Sequence, residues 1–167
     1  MEREILLLGD TRLYDRALPA QESELPALGP VIQDLHDTLM AFRARTGAGR
    51  AIAAPQIGVN KRLIYMHIDR PVVIINPRLS FPSSERMRVW DDCMSLPGLW
   101  VQVERFKHAV LNYRDEYWLE QSLSLEGDLS ELLQHEYDHL DGILMTMRAI
   151  DEYSFSMIKP GSSYAQN

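Results

Sequence analysis

The chain has 167 residues, 46% of them hydrophobic, which suits one compact domain with one sizeable core and a single active site. A formal net charge of −7 argues against direct nucleic-acid binding, because phosphate recognition depends on clustered Lys and Arg. The opening MEREILLLGD sets acids beside a run too short for a secretory signal, and no stretch approaches the roughly 20 apolar residues of a bilayer span, so the expectation is a soluble cytoplasmic protein with no membrane partner.

In chain order, the first periodic segment runs from Leu28 to about Arg45. Val31, Ile32, Leu35, Leu39, Met40 and Phe42 recur at three- and four-residue spacing, which predicts an amphipathic helix starting after Pro30. Small residues follow from Gly47 to Gly58; they serve either close backbone approach or a tight turn between helix and strand. Short β-like runs come next: RLIYMHI, VVIINPRL, RMRVW, WVQVERF, HAVLNYRD and WLEQSLSL, separated by Pro, Ser, Asp or Gly. Asp128 is the expected N-cap of a second helix, with Glu131 three positions on and Gly142 as its stop. The order helix, strands, helix predicts an α+β fold of antiparallel strands around the second helix, one domain over residues 1–158 and a flexible tail over residues 159–167.

Chemistry concentrates in QHEYDHLDG. On a helix, His135 and His139 project from one face, where two imidazoles reach one ion, and the neighbouring Glu136 is placed to take a proton from a water that the ion activates. A third ligand decides the type of site. The metzincin pattern would put a histidine where Met145 stands, and a thioether is a poor replacement on a hydrolytic metal. A thermolysin-like site needs a carboxylate from a later helix, and only the short segment with Glu152 follows. Cys93, the single cysteine, could be a buried apolar residue, a nucleophile or a ligand; lying upstream in DDCMSLPG, it makes Cys93, His135 and His139 the preferred set.

These segments carry a family resemblance. GRAIAAPQ (Gly49 to Gln56), DDCMS (Asp91 to Ser95) and QHEYDHLDG (Gln134 to Gly142) resemble, in order and at similar spacing, the GxGxAAxQ, EGCLS and QHExDHLxG motifs of the peptide deformylases. ILLLGDTRL near the start and the pair Asn76–Pro77 extend the likeness over nearly the whole chain. The resemblance implies that Cys93, His135 and His139 bind one divalent metal, Fe(II) in the cell with zinc, nickel or cobalt as alternatives. It implies that Glu136 shuttles the proton, while the Gln56 amide and the Met94 backbone N–H stabilise the oxyanion. The implied reaction is removal of the N-formyl group from formyl-methionyl peptides, including ribosome-associated nascent chains, with release of formate.

Departures from the family pattern gather where substrate is expected. Ala51 replaces the second glycine, Asp91–Asp92 replace Glu-Gly, and Met94 follows the cysteine in place of Leu. Trp100 stands where many bacterial members have an arginine near the peptide groove. By the same register Val89 and Leu132 line the methionine pocket, and Arg50, Ala51 and Asp92 lie beside the substrate backbone. Three other functions fit the sequence: a deformylase acting on another N-formyl compound, a zinc peptidase, and a metal-binding homologue without turnover.

Overall fold

A computed structural model describes residues 1–161; the part of the expected tail from 162 onward lies outside the described residues. Two α-helices and eight strands follow in the order α1 (Leu25–Thr46), β1 (Ala51–Ala53), β2 (Leu63–His67), β3 (Pro71–Ser80), β4 (Arg86–Asp92), β5 (Trp100–Phe106), β6 (His108–Arg114), β7 (Glu120–Glu126), α2 (Asp128–Leu140) and β8 (Phe155–Ser156). The fold is α+β, as expected. One antiparallel sheet has the order β1-β2-β3-β6-β7 and a second, smaller one the order β4-β5-β8.

Alternation along the strands makes two cores from one sheet. Leu63 and Tyr65 of β2, with Val73 and Ile75 of β3, pack against Leu28, Leu35 and Leu39 of α1. Ile64, Met66 and Ile74 point the other way, onto Leu132, Leu133 and Leu140 of α2. Side chains that alternate between faces let β2 and β3 serve both helices, which is why their sequences read as nearly continuous apolar runs. A third cluster joins Cys93, Leu96, Val101, Val103 and Met145 beneath the smaller sheet.

Several boundaries differ from the sequence-based expectation. α1 begins at Leu25, with Pro26 in its first turn, so Pro30 lies inside the helix. As the sixth helical residue, Pro30 lies past the N–H groups that lack intrahelical partners, so it forfeits the bond to the Pro26 carbonyl that a residue with an N–H would make. α2 is preceded by Gly127 (φ 55°), which takes the N-cap position; Asp128 is the first helical residue and adds negative charge to the first turn. Gly142 does follow the helix end at φ 70°, and a Cβ there would fall 2.3 Å from the Tyr14 carbonyl oxygen. β8 had no sequence signal; at two residues it is too short to show alternation.

One irregularity positions the N-terminal loop. The β3–β6 register shifts between Ile75 and Arg78, and Asn76 adopts φ 49°. Its side chain accepts from the Ala20 N–H and donates to the Ala20 carbonyl, both at 2.8 Å, so the Asn-Pro pair pins residue 20 to the sheet. Among the described residues no helix is long and apolar enough to cross a membrane.

Candidate active site

α2 carries two of the three groups that converge. Four residues of helix place His135 and His139 on one face, with ring centroids 5.0 Å apart. Cys93 arrives from another direction, in the turn that ends β4, and its Sγ lies 3.3 Å from Nε2 of His139. The ligand atoms of Cys93, His135 and His139 all fall within 4.8 Å of one another, and all three residues are buried. Thiolate and imidazole bound tetrahedrally at about 2.3 and 2.1 Å would stand roughly 3.5 Å apart, so the Cys93–His139 spacing fits a shared cation. Among the described residues this is the one group of three or more such side chains able to hold a metal.

Behind the histidines lies a buried chain of charge. Asp91 accepts from Nδ1 of His135 at 2.9 Å and pairs with Arg105 at 2.8 Å; Arg105 also reaches Asp138 at 2.5 Å, and Arg148 pairs with Asp138 at 2.8 Å. Burial alone would raise the Asp91 carboxyl, but the charges of His135 and Arg105 outweigh it and hold the group ionised. An ionised Asp91 accepts the His135 Nδ1 proton and, with Cys93, outweighs burial and holds this imidazole well above the usual histidine range, so a cation bound at Nε2 takes the place of the second ring proton. Burial, reinforced by the neighbouring His135, pushes His139 well below the usual histidine range, so its ring is neutral and free to ligate.

Gln56 reaches the cluster directly, and Glu136 and Met94 are chain neighbours of its ligands. Burial pushes the Glu136 carboxyl up to about 7, and its Oε2 has no hydrogen-bond partner. Gln56, 1% exposed, accepts from the Ala53 N–H through Oε1 and turns Nε2 toward Cys93 Sγ at 3.7 Å and Ser95 Oγ at 3.2 Å. The Met94 N–H donates to no group among the described residues. The N-terminal segment binds both loops, since the Leu6 N–H donates to the Gln56 carbonyl and the Leu8 N–H to the Ser95 carbonyl, each at 2.8 Å.

The residues expected to meet substrate fall into two groups. Arg50 and Asp92 are exposed beside the site, with Arg50 paired to Glu131 at 3.4 Å; the Asp92 carboxyl is raised by partial burial and by Asp91. Trp100 pairs with Asp92 across β4 and β5 and with Ser156 of β8. Val89 packs beside the Cys93 cluster, while Ala51 (2% exposed) and Leu132 (8%) belong to the core between α2 and the larger sheet. Glu152 is exposed and outside the ligand group, and Met145 lies buried in the Cys93 cluster. Arg105 was not singled out from sequence; Glu131 was read only as part of a helix start, and Ser95 and Asp138 only as members of their motifs. Arg105 did leave a signal, because Val101, Val103 and Arg105 share the inward phase of β5 and a charge in that phase needs buried partners.

Known proteins agree with this geometry. Residues 2–154 match the model of the family described as polypeptide deformylase. A protein of Ralstonia nicotianae named peptide deformylase 2 is 37% identical over 163 residues, covering 90% of this chain and 89% of its own. Among solved structures, a peptide deformylase from Legionella pneumophila superposes with a TM-score of 0.83 at 32% identity, covering 92% of this chain and 89% of that one. One from Synechococcus elongatus, solved in complex with actinonin, gives 0.83 at 30% identity, with 91% and 81% covered. With its three sequence motifs brought to a single buried point and its whole fold shared with these enzymes, the chain belongs to the polypeptide deformylase family.

Proposed function

We propose that this protein is a metal-dependent hydrolase that removes the N-formyl group from formyl-methionyl peptides, yielding formate and a free α-amine. The observation that carries the reading is the meeting of Cys93, His135 and His139 within 4.8 Å beside a buried carboxyl, Glu136, whose outer oxygen has no partner. A recognition site for metal alone would need neither that carboxyl nor the adjacent donors.

Cys93, His135 and His139 would hold a divalent cation, and their donor set of one thiolate and two imidazoles fits a borderline metal ion. Such a cation supplies a Lewis acid that lowers the pKa of a water toward neutrality and polarises the formyl oxygen. Glu136 accepts the water proton as the oxygen attacks the formyl carbon, then returns it to the leaving amine; such a role contributes on the order of 10²–10⁴ in rate. A carboxyl pushed up to about 7 is matched to both steps, basic enough to accept and acidic enough to give back. The Met94 N–H and Gln56 Nε2 are the donors for the oxyanion, each worth about 10²–10³. Gln56 is held for that task by its Oε1 bond to the Ala53 N–H.

In this reading Arg50, Ala51, Val89, Asp92, Trp100 and Leu132 border the bound peptide. Val89 and Leu132 supply apolar surface for the methionine side chain, and the rim carries Arg50, Asp92 and Trp100. Fe(II) is the proposed metal, and nascent chains at the ribosome are the proposed source of substrate. Anaerobic reconstitution with Fe(II), Ni(II), Co(II) or Zn(II), each assayed for formate release from formyl-Met-Ala-Ser, tests metal and reaction together. Formate release with none of the four would overturn the reading, as would cleavage of internal peptide bonds in its place.

A further inference from the structure

A large cleft lies apart from the metal site. It lies behind α2, where Tyr137 projects from the helix face turned away from His135 and His139, and has a volume of about 780 Å³. Its floor is the bulged part of β3 with the facing end of β6, and its walls are the loop at residues 16–19 and the turn before β7. No ligand of the metal centre, nor Glu136, Gln56 or Met94, lines it.

Its charge runs against that of the protein. Arg16, Arg62, Arg78 and Arg114 converge on the cleft in a chain of net charge −7. Asp141 answers Arg62 at 2.6 Å and the exposed Arg16 at 3.5 Å, and Glu120 answers Arg114 at 2.9 Å. Asp115 accepts from the lining Gln121 at 2.7 Å, so three carboxylates stand against four guanidiniums and leave a surplus of one positive charge. The exposed guanidinium of Arg78 makes no ion pair or hydrogen bond among the described residues. Planar, permanently charged groups gathered in a concavity are suited to phosphate oxygens.

Flat surfaces accompany the charge. Tyr113, Trp118 and Tyr137 all line the cleft, half-buried. Trp118 sits at φ 64°, a conformation bulky side chains rarely adopt, and the Arg114 guanidinium holds it there by donating to the Trp118 carbonyl at 3.0 Å. The ring packs partly against the core cluster of α1, β2 and β3, with the Arg114 guanidinium 5.9 Å from its centroid, and its remaining surface forms part of the cleft wall.

We propose that this cleft is a second binding site, for a phosphorylated nucleoside: the arginines take the phosphate and the aromatic side chains take the base. The volume lies within the usual range of about 300–1,000 Å³ for small-ligand sites and suits one nucleotide. The local surplus of positive charge also reconciles an anion site with an acidic chain, since attraction at contact range depends on neighbouring groups and distant charges are screened.

The test uses the metal-loaded protein and isothermal titration with AMP, with adenosine and inorganic phosphate as partial ligands. AMP is expected to bind saturably, and each fragment about tenfold or more weaker. Arg78→Glu reverses an exposed, unpartnered charge and should weaken AMP about tenfold or more while leaving formate release from the formyl peptide unchanged. Trp118→Phe provides a second reading and should weaken AMP and adenosine but not phosphate. The proposal is overturned by an absence of saturable binding at 10 mM AMP, or by AMP affinity that survives Arg78→Glu, which would place the phosphate on the metal. Tighter binding of a single-stranded RNA oligomer than of any mononucleotide would overturn it in favour of an RNA-docking face.

Discussion

The Asp91 carboxylate accepts the Nδ1 proton of His135 at 2.9 Å, and Arg105 grips the same carboxylate at 2.8 Å. The aspartate thus sets which nitrogen of His135 is available to a cation, and the arginine keeps the aspartate charged. Removing the acceptor should release the ring: Asp91→Ala is expected to weaken metal affinity about 10–100-fold, measured by competition with a chromogenic chelator. Unchanged affinity would mean that helix packing alone orients His135.

Arg105 presents the complementary case. It is 3% exposed and touches two buried carboxylates, so Arg105→Met removes the counterion they share and leaves Asp91 only His135 and Asp138 only the half-exposed Arg148. Breaking a buried pair in this way costs about 3–5 kcal/mol. Urea denaturation of the metal-loaded variant should show that loss; a cost under about 1 kcal/mol would mean that Arg148 and water take over the pairing.

The three ligand positions should behave as a unit. Cys93→Ala, His135→Ala and His139→Ala each leave two protein ligands and are expected to lose stoichiometric metal on gel filtration, read by elemental analysis. Full metal content in Cys93→Ala would remove the thiolate from the site.

Glu136→Gln separates binding from chemistry. The amide keeps size but cannot accept the water proton, so metal should stay and kcat should fall at least about 10²-fold. A near wild-type rate in this variant would exclude Glu136 from proton transfer.

Two of the departures from the family pattern, Ala51 and Asp92, should part company. Ala51 is 2% exposed inside β1 and packs in the same core as Leu132, so Ala51→Gly is expected to cost about 0.5–1 kcal/mol of stability and leave kcat/KM nearly unchanged. Asp92 is at the rim, and Asp92→Gly removes a negative charge from a cleft that must release formate; kcat/KM on formyl-Met peptides should rise, and KM should carry the change. A larger gain from Ala51→Gly than from Asp92→Gly would show that the alanine methyl, not the rim charge, limits the peptide.

Much of the site was legible along the chain because its chemistry is local. Four residues separate His135 from His139, and helical geometry alone brings such a pair to one face; Glu136 comes with them. Short β-like runs bounded by Pro, Ser, Asp or Gly likewise marked six of the eight strands within a residue or two, since each strand needs only its own local pattern to declare itself. β1 and β8, three and two residues long, hold too few positions for a period to show.

What the tertiary structure decided is every relation between distant segments. Cys93 and His139 are 46 positions apart, and only the turn after β4 packed against α2 brings sulfur to imidazole. Arg105 could be seen as an inward charge on β5, but its partners Asp91 and Asp138 come from another strand and from α2, and no periodicity links them. The arginines behind α2 are scattered over a chain whose net charge is negative, so composition conceals them; the fold gathers them because four separate segments meet at the bulge of β3. Local patterns are set by bonded geometry and so can be read in order, whereas a site assembled across elements exists only once burial of the apolar faces has fixed how those elements pack.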